Sequence, residues 1–367
     1  MKVPYSYLDR QFAEIDGYLE DIRALVARGD FTLGRAVEEF EAGFAGLTGL
    51  PLALGVASGT DALFLSLKAL GLGPGDEVIT APNTFVATVG AIVMTGARPV
   101  FVDNNETFTI DPDLIEAAIT PRVKAIMPVH LTGKPADMPA VMDIVQRRGL
   151  VVVEDAAQAI LAGIDGRHVG SWGAAAGFSL HPLKNLNVWG DGGLILTRSR
   201  ELYDKLKLMR NHGLSDRDTI QAYGHNSRLD SLQAVVALRL LPQVEAITAQ
   251  RIANAAFYDQ ALAELAEFIT LPPREPRFRQ VFHTYVVQAR DRDRLLDHLL
   301  RAGVRAKVHY PTPLHLQPAS AYLGYRAGDF PVCERHCRTI ISLPVHQHLS
   351  QAELAFVVDQ IRKFYLG

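Results

Sequence analysis

Cysteine is nearly missing from this 367-residue chain, which carries only Cys333 and Cys337. Four residues apart in a helical pattern, the two are badly placed for a disulfide framework, so a reducing, cytoplasmic setting is expected. Long apolar runs are missing as well. No uninterrupted stretch reaches about 18 residues, and Asp9 and Arg10 stand where a signal peptide would put its apolar region, so neither export nor a membrane span is expected. Charge of one sign is concentrated nowhere. The 37 Lys and Arg stand against 40 Asp and Glu, a net charge of −3, which argues against a nucleic-acid face or a membrane-surface helix. Motifs for metals and nucleotides fail on spacing. His346-Gln347-His348 lacks a nearby third ligand, Gly71-Leu72-Gly73-Pro74-Gly75 lacks the dinucleotide pattern, and Gly133-Lys134 lacks the hydroxyl of a phosphate loop, so no metal is expected.

What is present fits a globular enzyme of two or three structural units, since 48% of residues are hydrophobic and 21% charged. Residues 11–47 form two helical segments broken near Arg28-Gly29-Asp30. A strand over 51–57 then feeds a helix over 60–70. Short β-rich runs follow at 76–80, 98–103, 125–129 and 150–154, separated by helical patterns or Gly/Pro turns. That alternation predicts an open, mostly parallel sheet with helices on both faces and a ligand site at the carboxyl ends of its strands. Two closer strands at 177–180 and 194–197 flank a loop rich in Gly, Asn and Pro. Pro242 should break the helical stretch 229–266, and the unit boundary is placed there, giving 1–240 as a large unit and 241–367 as a smaller α+β unit. In the smaller unit, strands are expected at 285–289 and 305–309, with helices at 291–302 and after Ser350.

Four features lie where such a sheet collects its ligand. Ser58-Gly59-Thr60 joins a strand to a helix, as an anion site or as a plain N-cap. The apolar strand Val151-Val152-Val153 ends in Glu154 and Asp155, which alternation places on opposite faces. A carboxylate at that end could keep a ring nitrogen protonated or cap a helix. In Phe178-Ser179-Leu180-His181-Pro182-Leu183-Lys184-Asn185, a lysine follows a strand and a proline, and a solvated loop lysine is the plain alternative. Gly190-Asp191-Gly192-Gly193 reads as a tight hairpin turn.

The order of these features resembles the DegT/DnrJ/StrS sugar aminotransferases. The likeness runs nearly end to end, through Gly71 to Thr80, Thr84-Phe85-Val86-Ala87-Thr88, Pro128-Val129-His130-Leu131, Glu154-Asp155-Ala156-Ala157-Gln158, Asn226-Ser227-Arg228-Leu229-Asp230 and His309-Tyr310-Pro311. It implies the three-layer αβα fold of pyridoxal-phosphate-dependent transferases (fold type I), with a mostly parallel sheet in the large domain and a smaller α+β C-terminal domain. It also implies pyridoxal 5'-phosphate as cofactor, carried by Lys184, with Asp155 holding the pyridine nitrogen protonated and Gln158 near the ring hydroxyl. Phe85 would stack on the ring, while Gly59, Thr60 and Ser179 would bind the phosphate, joined by Asn226 from the neighbouring subunit of a homodimer with shared sites. His309 and Tyr310 fall at substrate positions. Plain packing for Phe85, and a helix cap within its own chain for Asn226, stay open.

Two departures stand out. Leu183 occupies a position where relatives carry a small residue, and Asn187-Val188-Trp189 is bulkier than usual, so Trp189 either shapes the substrate pocket or packs in the core. The resemblance implies transfer of an amino group from an amino acid, L-glutamate, to a keto group of a nucleotide-linked sugar. Lys-Asn-Leu with Gly-Asp-Gly-Gly leans towards the 3-keto position, in amino-sugar biosynthesis for polysaccharide or antibiotic assembly. A 4-keto sugar, a keto-cyclitol, or a cofactor-binding regulator without turnover are the alternatives. Dehydration is disfavoured, because Lys184 stands where a dehydratase branch carries His.

Overall fold

Alternation along the strands explains the layers of this protein, whose computed structural model describes residues 1–367. Seven strands form one sheet in the order Leu52–Val56, Gly193–Thr197, Ala175–Ser179, Val151–Asp155, Val123–Ile126, Glu77–Thr80 and Arg98–Phe101. Gly193–Thr197 runs against both of its neighbours, and the remaining pairs are parallel. Leu54, Val78, Ala125, Val153, Ala175 and Ile195 point to one face. There they pack on helices Gly59–Ala69, Val86–Met94 and Arg200–Met209. The intervening Ala53, Ala176, Leu194 and Leu196 pack under Arg35–Thr48 and Ser231–Leu240, while Ile79, Ile126 and Val152 meet Met138–Arg148. The three-layer αβα fold with a mostly parallel sheet is therefore present.

Pro242 acts as expected. Helix Ser231–Leu240 passes through the tighter turn Leu241–Gln243 into Val244–Leu262, and this kinked run contributes first to the core under the sheet and then to a second core. By length and composition, Ser231–Leu265 is apolar enough to cross a bilayer, but its residues serve these two cores. The second core lies around a sheet of Ile269–Thr270, Tyr285–Ala289 and Ile340–Leu343, with helices Arg292–Arg301 and Gln351–Leu366, the latter opened by a Ser350/Glu353 capping box. Val3 also belongs to it, through a bridge to Val304. The Asp103 carboxylate, just beyond strand Arg98–Phe101, accepts from the first-turn N–H groups of helix Pro331–Thr339, Val332 at 2.9 Å and Cys333 at 2.8 Å. Both cysteines are free and buried.

Three local expectations need correction. The strand expected at 125–129 lies at Val123–Ile126, because Pro128 has no N–H to extend the ladder; beyond it only Val129 bridges to Asp155. No regular strand forms at 305–309. The segment divides its pairing, Val304 with Val3 and Lys307 with Ser342, so no ladder accumulates. Gly190 to Gly193 is not a tight turn either, since the paired strands end at Ser179 and begin at Gly193, leaving a long loop between them. Its glycines answer close approach: a Cβ on Gly193 would sit 2.3 Å from the Ser58 carbonyl oxygen.

Candidate active site

Val151–Asp155 and Ala175–Ser179 run side by side, with Asp155 level with Gly177, so Asp155, Ser179 and the loop bearing Lys184 emerge at one end of the sheet. Helix Gly59–Ala69 starts at the same end. A Cβ on Gly59 would lie 2.7 Å from the Ser179 Cβ, so only glycine lets the helix start press against that strand end. Ser58 is the cap: its hydroxyl accepts from Asp61 N–H at 3.1 Å, and its carbonyl accepts from Ala62. The Gly59 and Thr60 N–H groups are left without an intrahelical acceptor, which makes the helix start an anion cradle.

The two adjacent carboxylates part as alternation requires. Glu154 is fully buried, and His130 Nε2 lies 3.0 Å from it. Gly170, Trp172 and Gly173 N–H groups donate to it at 2.7–2.8 Å. Because His130 Nδ1 accepts from Ala136 N–H, Nε2 carries the proton that Glu154 receives. Burial pushes the Glu154 carboxyl up, but these donors outweigh it and hold it below the ordinary range. Asp155 turns the other way, towards helix Val86–Met94, accepting from Thr88 Oγ1 at 2.7 Å and Ala157 N–H at 3.1 Å. Burial dominates there and raises its carboxyl, against those hydrogen bonds and the positive charge of Lys184.

Lys184 is partly buried, and desolvation lowers its amine to about 8, with Asp155 pulling the other way. Its loop is pinned from several sides. Tyr7 donates its hydroxyl to the Lys184 carbonyl at 2.9 Å, Asn185 donates to the Val281 carbonyl at 3.1 Å, and Gln11 donates to Asn187 at 2.6 Å. Leu186 and Val188 are core residues.

Around this centre, Gln158 accepts from Thr132 N–H at 2.8 Å. Burial raises the Tyr310 phenol, and the charge of Asp155 adds to the rise. Phe85 is 53% exposed, with its ring 6.0 Å from that of Tyr310, so it is not a core residue in this chain. His309 sets Nδ1 at 2.8 Å from Ser342 Oγ; burial, with Lys307 and Lys184 nearby, lowers it to about 4 and keeps it neutral. Asn226 is exposed and caps nothing, because the next helix has Asp230 at its N-cap. Its neighbour Ser227 donates to Asp61 Oδ2 at 2.7 Å, which holds the segment beside the anion cradle. Trp189 lies elsewhere, packed 5.6 Å from Phe12 and 5.3 Å from Tyr18, so the structure puts it among packing residues of the N-terminal segment.

Residues 14–362 match the DegT/DnrJ/EryC1/StrS aminotransferase family. The chain belongs to that family. A pleiotropic regulatory protein of Geobacillus stearothermophilus is 42% identical over 368 residues, covering 100% of this chain and 99% of the relative. A dTDP-3-amino-3,4,6-trideoxy-alpha-D-glucose transaminase of Streptomyces venezuelae is 40% identical over 365 residues, covering 99% and 96%. The crystal structure of S. venezuelae DesV superposes with a TM-score of 0.96 at 41% identity, covering 99% of this chain and 98% of that one. The family resemblance read from the sequence is thus borne out, and the chain is an aminotransferase.

The family's cofactor, pyridoxal phosphate, fits the residues present in this aminotransferase. A helix start with unpaired N–H groups suits its phosphate, and a buried carboxylate within reach of Lys184 suits a protonated ring nitrogen. Sequence reasoning missed Thr88 and Tyr7, which hold the acid and the lysine loop. Thr88 lay inside a quoted motif, but Tyr7 carried no signal, since its partner is 177 residues away.

Proposed function

We propose that this aminotransferase moves an amino group from L-glutamate to a keto group at carbon 3 of a nucleotide-linked sugar, with pyridoxal 5'-phosphate as cofactor. One observation carries the reading: a lysine amine desolvated to about 8 lies within electrostatic reach of a buried carboxylate at the sheet end where an anion cradle starts. When bound, pyridoxal phosphate supplies an electron sink next to the carbon that loses or gains the amino group. Lys184 carries the cofactor through its amine and, once released, moves the proton at the substrate carbon. Its lowered pKa leaves an appreciable neutral fraction near neutral pH. Asp155 would hold the proton on the ring nitrogen, with Gln158 placed for the ring hydroxyl and Phe85 for the ring face. Gly59, Thr60 and Ser179 bind the phosphate, with Asn226 reaching it from the other subunit of a homodimer. His309 and Tyr310 line the substrate side.

The nucleotide-sugar substrate and the lean towards carbon 3 rest on the motif pattern and on the S. venezuelae relative, whose name carries the amino group there. The name of the G. stearothermophilus relative supports a second reading, a regulator without turnover. One experiment separates them. The cofactor-loaded protein is mixed with L-glutamate and its absorbance followed from the aldehyde to the amine form. Conversion supports the enzyme, and inertness towards every common amino donor would favour the regulator.

A further inference from the structure

Arg251 is the largest fully buried side chain of the protein, at 1% exposure, and all of its hydrogen bonds go to neutral groups. Its Nε donates to Gln347 at 3.0 Å, and Nη1 donates to the carbonyls of Phe282 at 3.3 Å and His283 at 3.2 Å. Its Nη2 is buried without a partner, and the guanidinium lies 5.1 Å from the Tyr7 ring centre. A buried cation without an anion is costly, because its attraction to water is lost and nothing of opposite charge replaces it.

Arg251 lines a cavity of about 50 Å³ together with Tyr5, Tyr7, His283, His309 and His346. His283 Nδ1 is likewise buried and unpartnered. Burial keeps the three histidines neutral, His309 and His346 at about 4 and His283 well below its ordinary value, so Arg251 is the charge of the cavity. Leu183, next to Lys184, forms part of the wall, and both His283 and His309 feel the charge of Lys184. The volume admits a carboxylate head or about one to two water molecules, and no nucleotide.

We infer that this cavity is the carboxylate subsite for the amino-acid donor, with Arg251 as its cation and His283 as a second donor, an inference that rests on the aminotransferase reading above. The free Nη2 is the kind of planar N–H that recognises a carboxylate, and the location sets the rest of the donor near Lys184. Either the α-carboxylate or the side-chain carboxylate of glutamate has this chemistry.

The test compares cofactor-loaded wild type and Arg251→Met in the donor half-reaction with L-glutamate, L-alanine and 4-aminobutyrate. Half-saturating L-glutamate should rise roughly tenfold or more in the variant. A matching rise for L-alanine but not for 4-aminobutyrate assigns the α-carboxylate, and the reverse assigns the side-chain carboxylate. Unchanged half-saturation for all three overturns the inference. If Arg251→Met does not fold, acetate is tested against L-glutamate in wild type: competitive inhibition supports the subsite, and its absence overturns it. A wild type inert to every donor counts against the proposed function instead. Calorimetry with glutarate on wild type and Arg251→Lys then reads the cavity by itself, binding weakened in the variant supporting it, and no binding, or equal binding, overturning it.

Discussion

Thr88 reaches across 67 residues of sequence to donate its hydroxyl to Asp155 Oδ2 at 2.7 Å, and the Thr84 hydroxyl stands 2.7 Å behind it. This relay fixes the orientation of the carboxylate and offsets part of the upward push that burial gives its pKa.

Replacing Thr88 with valine keeps the shape and removes the donor. The Asp155 carboxyl should then rise further, moving the acid limb of the half-reaction pH profile to higher pH and slowing the rate by roughly tenfold. Asp155→Asn should do more, weakening cofactor retention by roughly 1.5–3 kcal/mol, as expected for a lost charged hydrogen bond. Spectroscopic titration of cofactor release measures both. A Thr88→Val profile that overlays wild type would leave Thr88 a packing residue.

Lys184 should be the residue found modified by peptide mapping after borohydride reduction of the loaded protein. An adduct on Lys134 would refute the assignment. Its amine, lowered from 10.5 to about 8, also predicts a pH effect on the apoprotein. Between those values the folded chain binds fewer protons than the unfolded one, so its stability rises with pH across that window. Lys184→Met should therefore be more stable than wild type at pH 7, with the difference shrinking towards pH 10.5. Denaturant midpoints across that range give the answer.

Glu154 and His130 should behave as structural partners. His130→Ala leaves a buried carboxylate short of a donor, at a cost of about 3 kcal/mol. The Glu154 carboxyl is held below the ordinary range, so its contribution is present at neutral pH and is lost as pH falls through that lowered value. Urea unfolding at pH 7 and at acid pH reads both effects. Normal cofactor retention in His130→Ala would separate this pair from the chemistry.

Asn226 should act across a subunit boundary. Neither Lys184→Ala nor Asn226→Asp is expected to be active alone, the second because a carboxylate would face the cofactor phosphate. Mixed and reassorted, the two should form heterodimers with one intact site and recover part of the activity. If mixing restores nothing, Asn226 acts only within its own chain, and sedimentation as a fully active monomer would equally overturn the shared site.

Local pattern was enough to reveal the strands of the seven-stranded sheet and the split of Glu154 from Asp155, because the side-chain period of a strand is set by the backbone, but it put a strand at 305–309 where none forms and missed Ile340–Leu343. It was also enough for the kink at Pro242, since a missing N–H acts within one turn. Local reading failed at Gly190 to Gly193. Those glycines looked like turn formers, while Gly193 answers to Ser58, which is remote in sequence and touches it in space.

By itself, then, the sequence determined the layered fold and the family, and with them the order in which cradle, acid and lysine arrive at the sheet end, because backbone periodicity and motif order are properties of the chain read locally. Only the tertiary structure decided which groups hold those residues: Thr88 on Asp155, Tyr7 on the lysine loop, and the three N–H groups of the 170–173 loop on Glu154. It alone also shows Arg251 buried without an anion, where a helix residue would read as an ordinary solvated arginine. The physical reason is that hydrogen bonding and desolvation depend on neighbours brought together by packing, and those neighbours lie tens to hundreds of residues away, beyond the reach of any local pattern.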